Sequence, residues 1–207
     1  MRRFAVSAER PEPAAIAAAV EVLRDGGVVA FPTDTLYGLA VDPRNDEAIE
    51  RLFALKARDR NVAVPLVASD LEQATMAGEF GPRERRVADV FWPGPLSVVI
   101  PARPAIAPGL LGGGRTIAIR VPAHAVAREL AAAFGFSVTA TSANTAGQPA
   151  AASADDVAAA LPDVDLLLDG GHTPGGAPST IVGFDKDGPV LLRAGVIAWD
   201  RVIKSLQ

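Results

Sequence analysis

Polar residues gather in short clusters along an otherwise apolar chain: Thr33-Asp34-Thr35, Thr141-Ser142-Ala143-Asn144, Ser179-Thr180, and Arg193 just ahead of Gly195. Lys56, Arg58 and Arg120 add cationic groups between them. Hydroxyls and a carboxamide suit a small polar ligand, and guanidinium and ammonium groups suit its phosphates or carboxylate. No Ser-His-Asp order, paired metal-binding histidines or cysteine nucleophile accompanies them, so covalent catalysis is not the natural chemistry. Hydroxyls and cations instead position anions and spread developing charge, which is how phosphoryl and nucleotidyl transfers are accelerated. Each piece also has a structural reading. Ser, Thr and Asn at strand ends form turns with their own backbone, and Lys56 and Arg58 at a helix C-terminus complement its dipole. Arg120 and Arg193, in otherwise apolar strands, fit a structural salt bridge and a ligand clamp equally well.

The elements that must hold these residues follow from apolar spacing. Pro13 to Leu23 reads as a helix with Ile16, Val20 and Leu23 on one face, stopped by Asp25-Gly26-Gly27. Val28 to Phe31 is a short apolar run that fits a strand buried on both sides, ending just before Thr33-Asp34-Thr35. A second strand is expected near Leu39 to Val41. Asn45 or Asp46 then caps a helix carrying Ile49, Leu52, Phe53 and Leu55, which delivers Lys56 and Arg58 at its end. Strands are predicted at Val62 to Ala68, Leu96 to Ile100, Thr116 to Val121, Ser137 to Thr141, Asp165 to Leu168, Thr180 to Phe184 and Val190 to Arg193. Helices are predicted at Asp70 to Ala77, Pro82 to Val90, Ala123 to Phe134, Val157 to Leu161 and Ile197 to Leu206. The fold class is therefore α/β, with one twisted, open sheet flanked by helices. That sheet is mixed, because the last strands leave no room for a crossover helix. In such sheets ligands bind at strand ends, where the polar clusters lie. Gly112-Gly113-Gly114 lacks the Lys-Ser/Thr and helix of a phosphate loop and reads as a flexible loop. His124 and His172 are isolated, and the glycines around His172 suggest a mobile loop and no metal site.

Composition narrows the classes. Across 207 residues, 49% are apolar and 21% charged, ordinary for a globular chain, so disorder and coiled coil are excluded and one domain over residues 1–207 is expected. Without cysteine there is no disulfide or thiolate metal site. The net charge of −4 argues against indiscriminate nucleic-acid binding. The run Ala14 to Val20 is cut by Glu21 well short of the ~18 apolar residues needed to span a bilayer. No apolar segment follows Arg2-Arg3 in the manner of a secretory signal, and a cytoplasmic location is expected.

Seven motifs in order complete the pattern: Pro32-Thr33-Asp34-Thr35-Leu36-Tyr37-Gly38-Leu39, Lys56-Ala57-Arg58, Trp92-Pro93-Gly94-Pro95, Ala118-Ile119-Arg120-Val121-Pro122, Thr141-Ser142-Ala143-Asn144, Pro178-Ser179-Thr180-Ile181-Val182 and Leu192-Arg193-Ala194-Gly195. Together, from about Pro13 to Gly195, they resemble the YrdC-like family of threonylcarbamoyl-AMP synthases, in a short form. The resemblance implies a concave, positively charged cavity. It also implies condensation of L-threonine, bicarbonate and ATP, with Mg²⁺ carried on ATP and no dedicated protein metal cage. The products are L-threonylcarbamoyl-AMP and pyrophosphate, and a downstream threonylcarbamoyl transferase complex completes the t6A modification of tRNA. By matched position it implies Lys56, Arg58, Thr116, Ser142, Asn144 and Arg193 at ATP, with Lys56 and Arg58 catalytic. Thr33, Thr35, Arg120, Ser179 and Thr180 would serve threonine, Arg120 as a bidentate fork on its carboxylate. Departures fall in Asp59 to Pro65, where the family's proline and asparagine are replaced and the segment is longer, at Ser69, where many members have histidine, and at Ala150, where some have serine. Two alternatives stay open: a carbamoyl-adenylate-forming component of a carbamoyltransferase, and a non-catalytic module with tRNA or double-stranded RNA contact. An aromatic content of 5% counts against the latter.

Overall fold

The computed structural model describes all 207 residues. Arg2–Ala5 (β1) leads to Pro13–Arg24 (α1), which has proline in its first turn, where the missing N–H costs nothing, and which buries Ile16, Val20 and Leu23. Val29–Phe31 (β2) is buried at every residue, and Gly38–Ala40 (β3) returns antiparallel to it. Asp46–Lys56 (α2) is capped by Asn45, whose Oδ1 accepts from the Ala48 N–H at 3.1 Å. The chain continues through Leu66–Val67 (β4), Leu71–Ala77 (α3), Pro82–Phe91 (α4), Leu96–Pro101 (β5), Thr116–Arg120 (β6) and Ala125–Phe134 (α5). Val138–Thr139 (β7), Thr141–Ser142 (β8), Ala154–Ala160 (α6), Leu166–Asp169 (β9), Thr180–Asp185 (β10), Gly188–Arg193 (β11) and Trp199–Ser205 (α7) complete it. No helix is long and apolar enough to cross a membrane.

The α/β class and mixed pairing are as expected, and the strands divide into two hydrogen-bonded sheets in place of one. One runs β1-β9-β2-β3-β8 and the other β11-β10-β5-β6-β4-β7. The division falls at Ala140, inside a segment that reads as a single strand. β7 pairs with β4 in the second sheet, whereas β8 pairs with β3 in the first. Thr139 stitches the two together: its hydroxyl donates to Leu39 O at 3.0 Å and accepts from the Val41 N–H at 2.9 Å. A buried Thr thus satisfies backbone groups where the ladder is interrupted. Apolar side chains from both sheets and their helices join one continuous core of 54 residues.

Two further differences have local causes. β1, not expected from so short and basic a segment, pairs in parallel with β9, and Arg3 bonds Asp155 and Asp169 at 2.7 and 2.8 Å. The strand expected over Val62 to Ala68 shrinks to Leu66–Val67 because Asp59 closes a turn, its carboxylate accepting from the Asn61 N–H at 2.9 Å.

Candidate active site

A cavity of about 320 Å³ is lined by residues from both sheets. One wall is the turn between β2 and β3. The Thr33 hydroxyl donates to Leu36 O at 2.7 Å and lies 3.1 Å from the Thr35 hydroxyl, so the turn locks both side chains. Arg120, the last residue of β6, donates to these hydroxyls at 3.2 and 3.4 Å and is ion-paired with Asp34. The second Asp34 oxygen accepts from the Ala123 N–H at 3.1 Å. Arg120 is therefore both a buried ion pair and a lining residue, which unites the two readings left open by its sequence position.

The opposite wall comes from β5, β10 and β11. Ser97 on β5 and Ser179, the residue before β10, are diagonal neighbours across the parallel β5–β10 pair with their hydroxyls 3.0 Å apart. Arg193 reaches back from β11 to donate to Ser179 O at 2.9 and 3.1 Å and to the Ser179 hydroxyl at 3.0 Å. Gly195 is required here: a side chain at that position would run into Thr180 N and the Ser179 carbonyl carbon at 2.5 and 2.6 Å. Arg58 forms a third side, donating to Thr141 Oγ1 at 3.3 Å and Ala63 O at 3.0 Å, while its Nε has no partner. The turn that separates Arg58 from Lys56 has Ala57 at φ 48°, a left-handed helix end held without glycine.

Three guanidinium groups line the cavity and no carboxylate does; Asp34 compensates only Arg120. Burial lowers the affinity of Arg58 and Arg193 for their protons, and the neighbouring Arg120 and Arg58 lower that of Arg193 further. An anion between them relieves this crowding, so the cavity is built for a ligand with several negative charges.

Thr33, Thr35, Arg58, Arg120, Ser142, Ser179 and Arg193 are all brought to this cavity. Lys56 and Asn144 stand behind its wall. The Lys56 ammonium is buried and donates to Ser142 O, to Asn144 O at 2.5 Å and to Asn144 Oδ1 at 3.2 Å, so its three N–H groups are all engaged. Burial and the nearby Arg58 push its pKa down to about 8. Asn144 Oδ1 also accepts from the Ser142 hydroxyl at 2.6 Å. Thr180 turns the other way, its hydroxyl donating to Ile197 O at 2.7 Å and accepting from the Ile197 N–H at 2.9 Å. Thr116 is exposed at the far end of β6 from Arg120. Ser69 lies outside the cavity, bonded to Asp70 at 2.8 Å, and of the altered segment only Pro65 reaches the lining. The glycine loop around His172 is tied down: the Gly175 N–H donates to Thr35 O at 2.8 Å and the Tyr37 hydroxyl to Gly171 O at 2.8 Å. Burial of Tyr37 pushes its pKa up to about 12, so the phenol stays a donor. Sequence reasoning missed Ser97. Its signal was a lone hydroxyl inside the apolar run Leu96 to Ile100.

Fold and site together define an α/β protein with a cationic, hydroxyl-lined cavity suited to a polyanionic ligand. The Sua5/YciO/YrdC family model, described as telomere recombination, matches residues 21–195, and the chain belongs to that family. It is 35% identical over 198 residues to a threonylcarbamoyl-AMP synthase of Pyrococcus abyssi, covering 95% of this chain and 58% of that protein. A protein of the same name from Chromohalobacter salexigens is 42% identical over 168 residues, covering 80% of this chain and 90% of the relative. Among solved structures, P. abyssi Sua5 complexed with L-threonine superposes with a TM-score of 0.94 at 33% identity, covering all of this chain and 61% of that one. Escherichia coli YciO superposes at 0.88 with 27% identity, each chain fully covered. The chain thus spans under two thirds of the P. abyssi protein and nearly all of the C. salexigens one.

Proposed function

We propose that the chain condenses L-threonine, bicarbonate and ATP into L-threonylcarbamoyl-AMP and pyrophosphate. The observation that carries this reading is the charge balance of the cavity: three guanidiniums and no lining carboxylate, beside hydroxyls from the β2–β3 turn, β5, β8 and the residue before β10. The names of the relatives and the threonine complex of P. abyssi Sua5 support it. In this reading the threonine amine attacks the carbon derived from bicarbonate and water leaves, giving a carbamate. A carbamate oxygen then attacks the α-phosphorus of ATP, and pyrophosphate departs with the electron pair of the broken P–O bond. Arg58 and Arg193 hold the phosphates and absorb the charge growing on pyrophosphate. Arg120, fixed by Asp34, meets the threonine carboxylate, and Thr33, Thr35 and Ser179 line its seat. Lys56 and Asn144 act through the Ser142 turn, which they hold in place. Magnesium enters as part of the MgATP substrate, where it neutralises phosphate charge. Both oxygens of Asp34, the carboxylate paired with Arg120, are already engaged. The adenylate product would pass to a transferase complex that places the threonylcarbamoyl group beside the tRNA anticodon. Pyrophosphate release from MgATP and bicarbonate tests the reading: it should require L-threonine, and release that ignores the amino acid would overturn it.

A further inference from the structure

The wall between Arg120 and Ser179 holds a group with an unspent proton. Ser97 is 2% exposed and Ser179 7% exposed, and both line the cavity. Their hydroxyls share one hydrogen bond of 3.0 Å, and Ser179 also accepts from Arg193. Two hydroxyls own two protons and one shared bond consumes one of them. Neither oxygen has another protein acceptor, so the second proton has no partner within the protein. If Ser97 donates to Ser179, the Ser179 proton is the free one; in the reverse arrangement it is that of Ser97. Either way the pair offers one O–H donor, and a buried donor requires an acceptor. The opposite wall does the reverse, since Thr33 spends its proton on Leu36 O.

Register fixes where that donor points. β5 and β6 pair antiparallel with Val98 opposite Ile119, so continuing the ladder by one residue sets Ser97 opposite Arg120. β5 and β10 pair in parallel with Ile181 opposite Ser97, so Ser179, two residues earlier, is the diagonal neighbour of Ser97 on the same face, and their hydroxyls meet at 3.0 Å. Side chains opposite each other share a face of the sheet. Ser97 therefore bridges the gap between the guanidinium and the second hydroxyl expected to hold the amino acid.

We propose that Ser97 is a further substrate-binding residue that, paired with Ser179, donates its spare proton to the carboxylate held by Arg120 and so sets affinity for the amino acid and not for ATP. The proposal rests on the synthase reading. Its test is Ser97→Ala, with Ser97→Cys as a variant that keeps a side chain of similar shape and only a weak donor. Binding of L-threonine and of ATP is measured separately by calorimetry, with thermal unfolding as a check on the fold. Loss of a hydrogen bond to a charged acceptor predicts a Kd for L-threonine raised about tenfold in Ser97→Ala and less in Ser97→Cys, with the ATP Kd unchanged. An unchanged threonine Kd, or a rise in the ATP Kd alone, overturns the proposal. Wild-type protein is assayed alongside. If it binds L-threonine and uses it to release pyrophosphate while Ser97→Ala behaves identically, only the role of Ser97 fails. If wild type neither binds nor uses threonine, the synthase reading fails and this proposal with it.

Discussion

Replacing Lys56 by methionine removes a buried ammonium while keeping an unbranched side chain of similar length. Three acceptors lose the ammonium at once, and Asn144 O is left with no donor, whereas Asn144 Oδ1 keeps the Ser142 hydroxyl and Ser142 O keeps the Asn144 N–H. An unsatisfied buried acceptor costs about 1–3 kcal/mol, and the methionine escapes the penalty of burying a charge, so a net loss of about 3 kcal/mol is expected. For a chain of this size that lowers Tm by roughly 6–12 °C. Ser142 lines the cavity and the ammonium holds its turn, so turnover should also fall by at least about tenfold, with ATP and threonine KM both rising. Thermal unfolding by circular dichroism and pyrophosphate release at varied ATP and threonine measure the two effects. An unchanged Tm with a rise in ATP KM alone would refute the argument, because the ammonium would then serve the ligand and not the turn. The same pair of proteins carries a pH signature. Lys56 has a folded pKa of about 8, below the value of 10.5 it has when solvated. Between these values the unfolded chain binds the extra proton, so stability rises with pH. The stability difference between wild type and Lys56→Met should therefore widen from about pH 8 to 10.5 and stay flat below it. A difference that narrows over that window would contradict the burial argument.

Arg193 stands at the cavity rim and its side-chain hydrogen bonds are to Ser179 alone, so Arg193→Ala should leave Tm within about 2 °C of wild type and lower ATP turnover by at least about tenfold; unchanged turnover removes it from the site. Asp34→Asn leaves Arg120, 7% exposed at its side chain, without a counter-charge. Breaking a buried pair from one side costs about 3–5 kcal/mol, less here because Asn retains an acceptor, so Tm should fall and threonine KM rise while ATP KM changes little. A variant with wild-type Tm and threonine KM would show that Asp34 does not position Arg120.

Much of this protein is legible locally. The Asn45 cap of α2 and the proline start of α1 depend on neighbours within a turn, and the sequence pattern places them correctly. The site residue types are legible for the same reason: hydroxyls and cations cluster where strands end. Their directions are not. Ser179 and Thr180 are adjacent in an extended chain, so one faces the cavity and the other faces Ile197. Thr116 and Arg120 share a strand, yet at about 3.3 Å per residue they stand roughly 13 Å apart. Lys56 and Arg58 look equivalent in sequence, but the left-handed Ala57 sends one inward and the other to the cavity. The split of the sheet at Ala140 depends on which partners β7 and β8 find far along the chain, information that no local window contains.

The proposed reaction joins threonine, bicarbonate and ATP in one product within this cavity. Incubating the protein with isotopically labelled bicarbonate, L-threonine and MgATP, and recovering the adenylate by mass spectrometry, tests it most directly. The expected product is an adenylate that carries both the label and the threonine, formed with pyrophosphate and absent when threonine is replaced by glycine. A labelled adenylate formed without any amino acid, or no adenylate at all, would contradict it.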